Sequence, residues 1–334
     1  MGDVNKPKIK KLKWGVAGCG KFSETAFIPA VHLLRRSTLN SVFSKSSVRA
    51  KFIAEKFGLP HRFNNYEDFL KSDINTVYIG STNADHYEQV IKAAEAGKNI
   101  LCEKPLALTS GQAEEMVQAC EQNKVLLAVN YTFRFHPLVV KSKELLENQY
   151  LGKLVSINLN LNIDLPPGGN FRFNKKLSGG GAIRDIGTHL IDLLRFFGGE
   201  IISIDGVLDN IVYKSEVDDF SAGLVKFKDS GYGYFNVSFN NKKAFNRIEI
   251  LGHLGALSID HLIGAKLVPA KLTILHVSEA KKAFRKRGNK LLYLLRSIQK
   301  SFLKGETPSV TGYDGLINMK LMEELESKWL ARRN

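Results

Sequence analysis

The chain has 334 residues, 44% of them apolar, enough to fill the cores of two domains rather than one. Nothing in it approaches the roughly 18 consecutive apolar residues of a membrane span, and the Lys-rich first thirteen residues lack the apolar run of a signal peptide, so a cytoplasmic protein is expected. Cys19, Cys102 and Cys120 make neither a disulfide framework nor a CxxC pair, the eight histidines show no ligand spacing, and no metal site is expected.

From Lys13 to about Asn130 short apolar runs alternate with longer amphipathic segments, the pattern of a parallel sheet wrapped by helices. Strands are predicted at Leu12 to Ala17, Leu39 to Phe43, Thr76 to Ile79, Asn99 to Leu101 and Val125 to Val129, with a weaker one at His61 to Phe63. Helical periodicity covers Ser47 to Phe57, Asp85 to Ala96 and Ser110 to Gln122, and Gly58 and Gly97 stand where helices end. This is a doubly wound, nucleotide-binding plan.

The first strand runs into Gly18-Cys19-Gly20-Lys21-Phe22-Ser23 and then a helix. One glycine permits a tight turn, the next lets the backbone approach a pyrophosphate, and a small third residue lets the helix pack closely with its amides toward the phosphates. Ser23 takes the third place, so the fingerprint is imperfect, but its setting between strand and helix points to a dinucleotide. Gly18, Gly20, Lys21 and Phe22 are the candidate contacts. After the second strand, where an acid holds an unmodified ribose, stands Ser44-Lys45-Ser46-Ser47, with Arg49 nearby. A hydroxyl and two cations suit a 2′-phosphate, so NADP is the expected cofactor. NAD is the alternative if Lys45 and Arg49 are simply exposed residues at a helix start.

The fourth strand leads into Gly80-Ser81-Thr82-Asn83-Ala84-Asp85-His86 and the fifth into Cys102-Glu103-Lys104-Pro105. Both turns belong to the carboxyl edge of the sheet, where such folds bind ligands. Ser81, Thr82, Asn83 and His86 are therefore cofactor candidates, and Lys104, stiffened by the following proline, can aim its ammonium at one point.

A helix is predicted from Pro137 to Glu147, after which long alternating runs begin: Leu154 to Ile163, Ile202 to Val212, Phe220 to Phe227, Tyr232 to Phe239, Ile248 to Leu251, Ala256 to Ile259 and Lys271 to Val277. They indicate one large antiparallel sheet. Helices are expected at Ala182 to Phe197, Leu291 to Leu303 and Tyr313 to Leu330. In the first of these, Asp185, His189 and Asp192 share one face at i, i+4 and i+7, opposite Ile183, Ile186, Leu190, Leu193 and Phe197. A histidine one turn from carboxylates, after Gly179-Gly180-Gly181, is a proton-transfer candidate. Carboxylates favour its imidazolium and a nearby ammonium disfavours it.

The net charge of +15 is uneven: five lysines lie between Lys6 and Lys13, and ten basic residues face the single acid Glu279 between Lys271 and Lys304. A solvated surface, an anionic substrate, or a membrane or nucleic-acid contact each account for it. Between Lys281 and Lys304, Leu291, Leu292, Leu294, Leu295 and Ile298 alternate with cations, which fits a helix packed on a sheet as well as one lying on a membrane.

Taken together, Glu103-Lys104-Pro105 and the Gly-rich approach to Asp185-Ile186-Gly187-Thr188-His189-Leu190-Ile191-Asp192, about eighty residues apart, resemble the glucose–fructose oxidoreductase, inositol dehydrogenase and MocA (Gfo/Idh/MocA) family over nearly the whole chain. The resemblance implies an α/β chain: a Rossmann domain followed by an α/β domain with a large, mostly antiparallel open sheet that supports homodimers or homotetramers. The expected division is a basic arm at 1–12, the Rossmann domain at 13–133 and the substrate-binding and oligomerisation domain at 134–334. It also implies hydride transfer between NADP or NAD and a carbon of a sugar, polyol or nucleotide-linked sugar. Glu103, Lys104 and Asn130 would approach the cofactor, Lys104 the substrate, Asp185 would position the substrate or the Lys104 side chain, and His189 would be the acid/base. Tyr131 and Arg134, on the strand exit, are further substrate candidates. Arg184 departs from the family's apolar residue and leaves the charge around Asp185 open. The competing readings are a cofactor-binding sensor or scaffold without turnover, which has no physical need for both Lys104 and His189, and a basic membrane- or nucleic-acid-associated protein.

Overall fold

The computed structural model describes residues 10–262 and 268–333. Most of the predicted basic arm, including Lys6 and Lys8, lies outside the described residues. In chain order the elements are β1 (Leu12–Ala17), a π-helical turn (Ser23–Phe27) running into α1 (Ile28–His32), β2 (Ser37–Phe43), α2 (Ser47–Phe57), β3 (His61–Phe63), α3 (Tyr66–Lys71), β4 (Thr76–Ile79), α4 (Asn83–Glu95), β5 (Asn99–Cys102), α5 (Ser110–Gln122) and β6 (Leu127–Val129). There follow α6 (Pro137–Glu147), β7 (Leu154–Asp164), α7 (Lys175–Ser178), a second π-helical turn (Ile183–Gly187) running into α8 (Thr188–Gly198), β8 (Ile201–Asp209), β9 (Phe220–Phe227), β10 (Tyr232–Ser238), β11 (Asn240–Gly252), β12 (Gly255–Asp260), β13 (Ala270–His276), β14 (Glu279–Lys286), α9 (Lys290–Lys304) and α10 (Gly312–Arg333).

The chain forms two compact units. One holds residues 1–131 and 291–317, the other 132–290 and 318–334. The first contains a six-stranded sheet of order β3-β2-β1-β4-β5-β6 with every pair parallel. Its central strands are apolar on both faces, as a sheet covered by helices on each side requires: Trp14, Val16, Val77, Tyr78, Ile79, Ile100 and Leu101 are fully buried. The strand order reverses between β1 and β4, the crevice where doubly wound sheets bind nucleotides.

In contrast to a single cut after residue 133, α9 belongs to this first unit. Its stripe of Leu291, Leu294, Leu295, Ile298 and Phe302 is buried. On the same helix Gln299 accepts a hydrogen bond from Ser37 Oγ (2.9 Å), which in turn accepts one from Trp14 Nε1 (3.2 Å). The apolar face is thus used in packing and is not available to a membrane surface. No helix among the described residues is long and apolar enough to cross a membrane.

The second unit carries an eight-stranded sheet, β14-β13-β12-β11-β7-β10-β9-β8, antiparallel except for the β7–β10 pair. Inward positions of β7 (Ile157, Leu159, Leu161) are buried, whereas Ser156, Asn158, Asn160 and Asn162 alternate with them on the other face. The predicted strand from Ile202 to Val212 stops at Asp209. There the Asp219 carboxylate accepts the backbone N–H groups of Ile211 (2.8 Å), Val212 (2.8 Å) and Tyr213 (2.6 Å), which ends the ladder by offering a local acceptor. The basic stretch read as continuous from Lys281 to Lys304 divides into edge strand β14 and helix α9. Every residue of β14 is exposed, and lysines on an edge strand discourage pairing with other chains.

Candidate active site

At the nucleotide end, β1 stops at Ala17 because Gly18 takes a left-handed conformation (φ +94°). A Cβ there would stand 2.4 Å from the Ser81 backbone nitrogen, so only glycine lets the turns after β1 and β4 approach this closely. Gly20 is exposed, and a Cβ there would meet only the Gly80 carbonyl, at 3.9 Å, which fits the approach of a phosphate to the backbone. Ser23, the small third residue, is buried and donates to Gly18 O (2.6 Å), tying the helix start to the turn. Lys21 and Phe22 are exposed at this start. The residues present therefore fit a dinucleotide's pyrophosphate.

Beyond β2, Ser46 caps α2 by accepting from the Arg49 backbone N–H (3.3 Å), and Ser44 Oγ accepts from Ser46 N (3.3 Å). Both candidate 2′-phosphate cations already have carboxylate neighbours, a feature invisible in the sequence. Lys45 Nζ lies 2.5 Å from Asp85, and Arg49 pairs with Glu24 while its Nε donates to Cys19 O (2.8 Å). Lys56 also pairs with Glu24 (2.6 Å), and together these partners hold the Glu24 carboxyl below its usual range.

In the turns after β4 and β5, Ser81 Oγ donates to Gln89 (2.8 Å) and Thr82 Oγ1 to Asp85 (2.8 Å). Asn83 and His86 are buried, and His86 Nδ1 lies 3.0 Å from Pro105 O. His86 thus braces the turn that carries Lys104, and burial pushes its imidazole below the usual range. Glu103 accepts from Tyr78 Oη (2.8 Å) and from the Asn130 amide (2.5 Å). Burial nonetheless raises its carboxyl above the ordinary value. Tyr131 is fully buried.

In the second unit the candidate helix begins with a constraint that the sequence does not show. Three successive amides converge on Asp218: Gly181 N and Ile183 N donate to its two carboxylate oxygens (2.8 Å each), and Ala182 N to its carbonyl (2.9 Å). A Cβ at Gly181 would fall 1.7 Å from that carbonyl oxygen, which explains the last glycine of the run. Burial raises the Asp218 carboxyl to about 6 against these bonds. The π-helical turn from Ile183 to Gly187 follows, a local widening of the helix of the kind found frequently at functional sites.

The polar stripe separates into three environments. Asp185 pairs with Arg172 (2.9 Å), a residue not singled out from the sequence. Asp192 is buried against Arg134 in a two-pronged pair (2.8 and 2.5 Å) and accepts from Asn318 (3.2 Å). His189 lies between them along the helix, 9% exposed, its ring stacked on Phe133 with centroids 4.3 Å apart. Arg184, which left the charge around Asp185 open, is engaged by Glu326 (2.7 and 2.5 Å). Arg134 is held by Asp192, which gives it a structural partner in place of an open guanidinium.

Comparison with known proteins matches residues 12–131 to the GFO_IDH_MocA model, an oxidoreductase family with an NAD-binding Rossmann fold, and residues 139–258 to the GFO/IDH/MocA C-terminal domain. An oxidoreductase of Formosa agariphila is 30% identical over 263 residues, 74% of this chain and 79% of its own. A 1,5-anhydro-D-fructose reductase of Ensifer adhaerens is 28% identical over 91% of this chain and 92% of its own. Among solved structures, a levoglucosan dehydrogenase in complex with NADH and levoglucosan shares the fold with a TM-score of 0.88 at 21% identity, covering 96% of this chain and 98% of that one.

Proposed function

Because the chain belongs to the GFO/IDH/MocA family of NAD(P)-dependent oxidoreductases, we propose that it moves a hydride between a nicotinamide and an oxygen-bearing carbon of a sugar, polyol or nucleotide-linked sugar, with His189 as acid/base. One observation carries this assignment. Of the three polar residues on the candidate helix, Asp185 and Asp192 are each matched to an arginine, and His189 is the group whose ordinary titration range spans neutrality. The nicotinamide, when bound, supplies or accepts the hydride. In the reducing direction Lys104 polarises the carbonyl and stabilises its developing charge, and the imidazole of His189 delivers the proton. In the oxidising direction neutral His189 removes the hydroxyl proton. Asp185 and Arg172 form a paired polar edge that orients substrate hydroxyls.

NADP is the preferred cofactor in this reading. Lys45 is well exposed despite Asp85, and Arg49 and Lys56 add charge around Glu24. Replacing Lys45 with Ala is expected to weaken NADPH binding about tenfold, the worth of one charge-assisted hydrogen bond, with little change for NADH. Fluorescence titration with each reduced cofactor measures this, and equal losses for both would remove Lys45 from 2′-phosphate recognition.

The outer face of the eight-stranded sheet is the proposed self-association surface. Tyr232, Ser156, Leu251, Ala256 and Leu275 lie in register across five strands, beside Tyr234 opposite Leu224. Tyr232, Tyr234, Leu224, Leu251 and Leu275 are all exposed, large apolar side chains gathered on one face as at many interfaces. Light scattering is expected to give a homodimer or homotetramer, and Tyr234→Asp to shift it toward monomer. A monomeric wild type at micromolar concentration would reject the surface.

A further inference from the structure

Lys290 closes the 132–290 segment of the second unit, at the first position of α9, and takes no part in the reaction described above. Its ammonium donates to Leu262 O (3.0 Å) and sits 4.5 Å from the centroid of Phe133, the ring on which His189 stacks at 4.3 Å. The two distances place the ammonium within about 9 Å of the imidazole centre, with the same aromatic ring against both. We propose that Lys290 is a positioning residue for proton transfer: its charge, presented to His189 across Phe133, disfavours the imidazolium and keeps the imidazole available as a base. The proposal rests on the acid/base reading of His189 for its functional meaning, but not for the coupling itself.

Among the described residues, the carboxylates on the candidate helix are paired. Asp185 is paired with Arg172 and Asp192 with Arg134, while Arg184 pairs with Glu326 on α10. His136, at the start of α6, is a titratable neighbour of Lys290, and burial together with Lys290 pushes it down to about 4. At neutral pH it is therefore uncharged. Burial also holds Lys290 itself down to about 8, so it is mostly cationic at pH 7 and loses its influence above that value. The same ammonium thus already depresses one imidazole, and Phe133 brings a second within its field. At an effective dielectric of about 20, a unit charge about 9 Å away changes a titration midpoint by roughly one pH unit.

The test is the titration of the His189 imidazole by NMR in the full chain, its signal assigned by its loss in His189→Asn. Lys290→Gln retains a donor for Leu262 O and Lys290→Met retains the stem, so two neutral variants probe the charge with different packing. Both are expected to raise the His189 midpoint by about one pH unit, and Lys290→Arg to leave it near the wild-type value. An unchanged midpoint in the neutral variants, or an equal rise in Lys290→Arg, would overturn the coupling. The pH profile of hydride transfer separates the two readings. If midpoint and rate limb move together, both stand. If the midpoint moves while the rate limb stays, the coupling stands and His189 loses its catalytic assignment.

Discussion

Replacing His189 with Asn is expected to lower turnover by roughly 10² to 10⁴-fold while leaving the dissociation constant of the reduced cofactor nearly unchanged. Asparagine keeps a planar polar side chain against Phe133 but cannot exchange a proton near neutrality. The loss should therefore fall on kcat and on kcat/KM together, the pattern of an interaction needed in the transition state. The sequence features assigned to the cofactor, from Gly18 to Phe22 and from Ser44 to Arg49, belong to the other unit, so cofactor binding serves as an internal control. A variant with wild-type turnover would remove the acid/base role. A variant that also lost cofactor binding would show damage beyond proton transfer.

Replacing Arg134 with Ala is expected to destabilise the second unit by about 3 to 5 kcal/mol, the usual cost of leaving a buried charge without its partner. The Asp192 side chain is 1% exposed and Arg134 9%. Two charge-assisted bonds join them, and the guanidinium also lies 5.5 Å from the centroid of Phe196. Asn318, a neutral donor at 3.2 Å, does not replace the guanidinium's charge beside a buried carboxylate. At about 2 to 4 °C per kcal/mol for a unit of this size, the melting temperature should fall by roughly 10 °C. The double variant Arg134→Met, Asp192→Leu, which removes both charges, should recover much of that loss. A fall of less than about 2 °C in the single variant would mean that the pair contributes little and that Arg134 is free to serve the substrate.

The contrast between Arg134 and His189 shows how far the residues could be read alone. Local signals translated well where geometry is local. The short apolar run from Leu12 to Ala17, the helical stripe from Ser47 to Phe57 and the glycine that ends it at Gly58 all lie where expected, with Gly58 left-handed. Spacing also placed Asp185, His189 and Asp192 on one helix. It could not supply their partners, because Arg172, Arg134 and Phe133 come from other segments and ion pairing leaves no periodic trace. The π-helical turn at Ile183 has no such signature either, and the Asp218 carboxylate that receives its amides lies about 35 residues further on. For α9 the apolar stripe predicted burial but not which unit would provide it. Edge strand β14 was hidden because an exposed strand carries no apolar alternation. Lys290 and Phe133 are 157 residues apart, and neither residue type alone suggested the contact.

The most direct test of the central assignment follows deuterium from C4 of reduced nicotinamide into a panel of carbonyl acceptors: free aldoses and ketoses, the keto forms of polyols and the keto forms of nucleotide-linked sugars. Wild-type protein is predicted to deliver the label to one carbohydrate carbon, and His189→Asn to do so at least a hundredfold more slowly with the cofactor still bound. Label that stays on the cofactor throughout the panel, or that moves equally fast in both proteins, would contradict it.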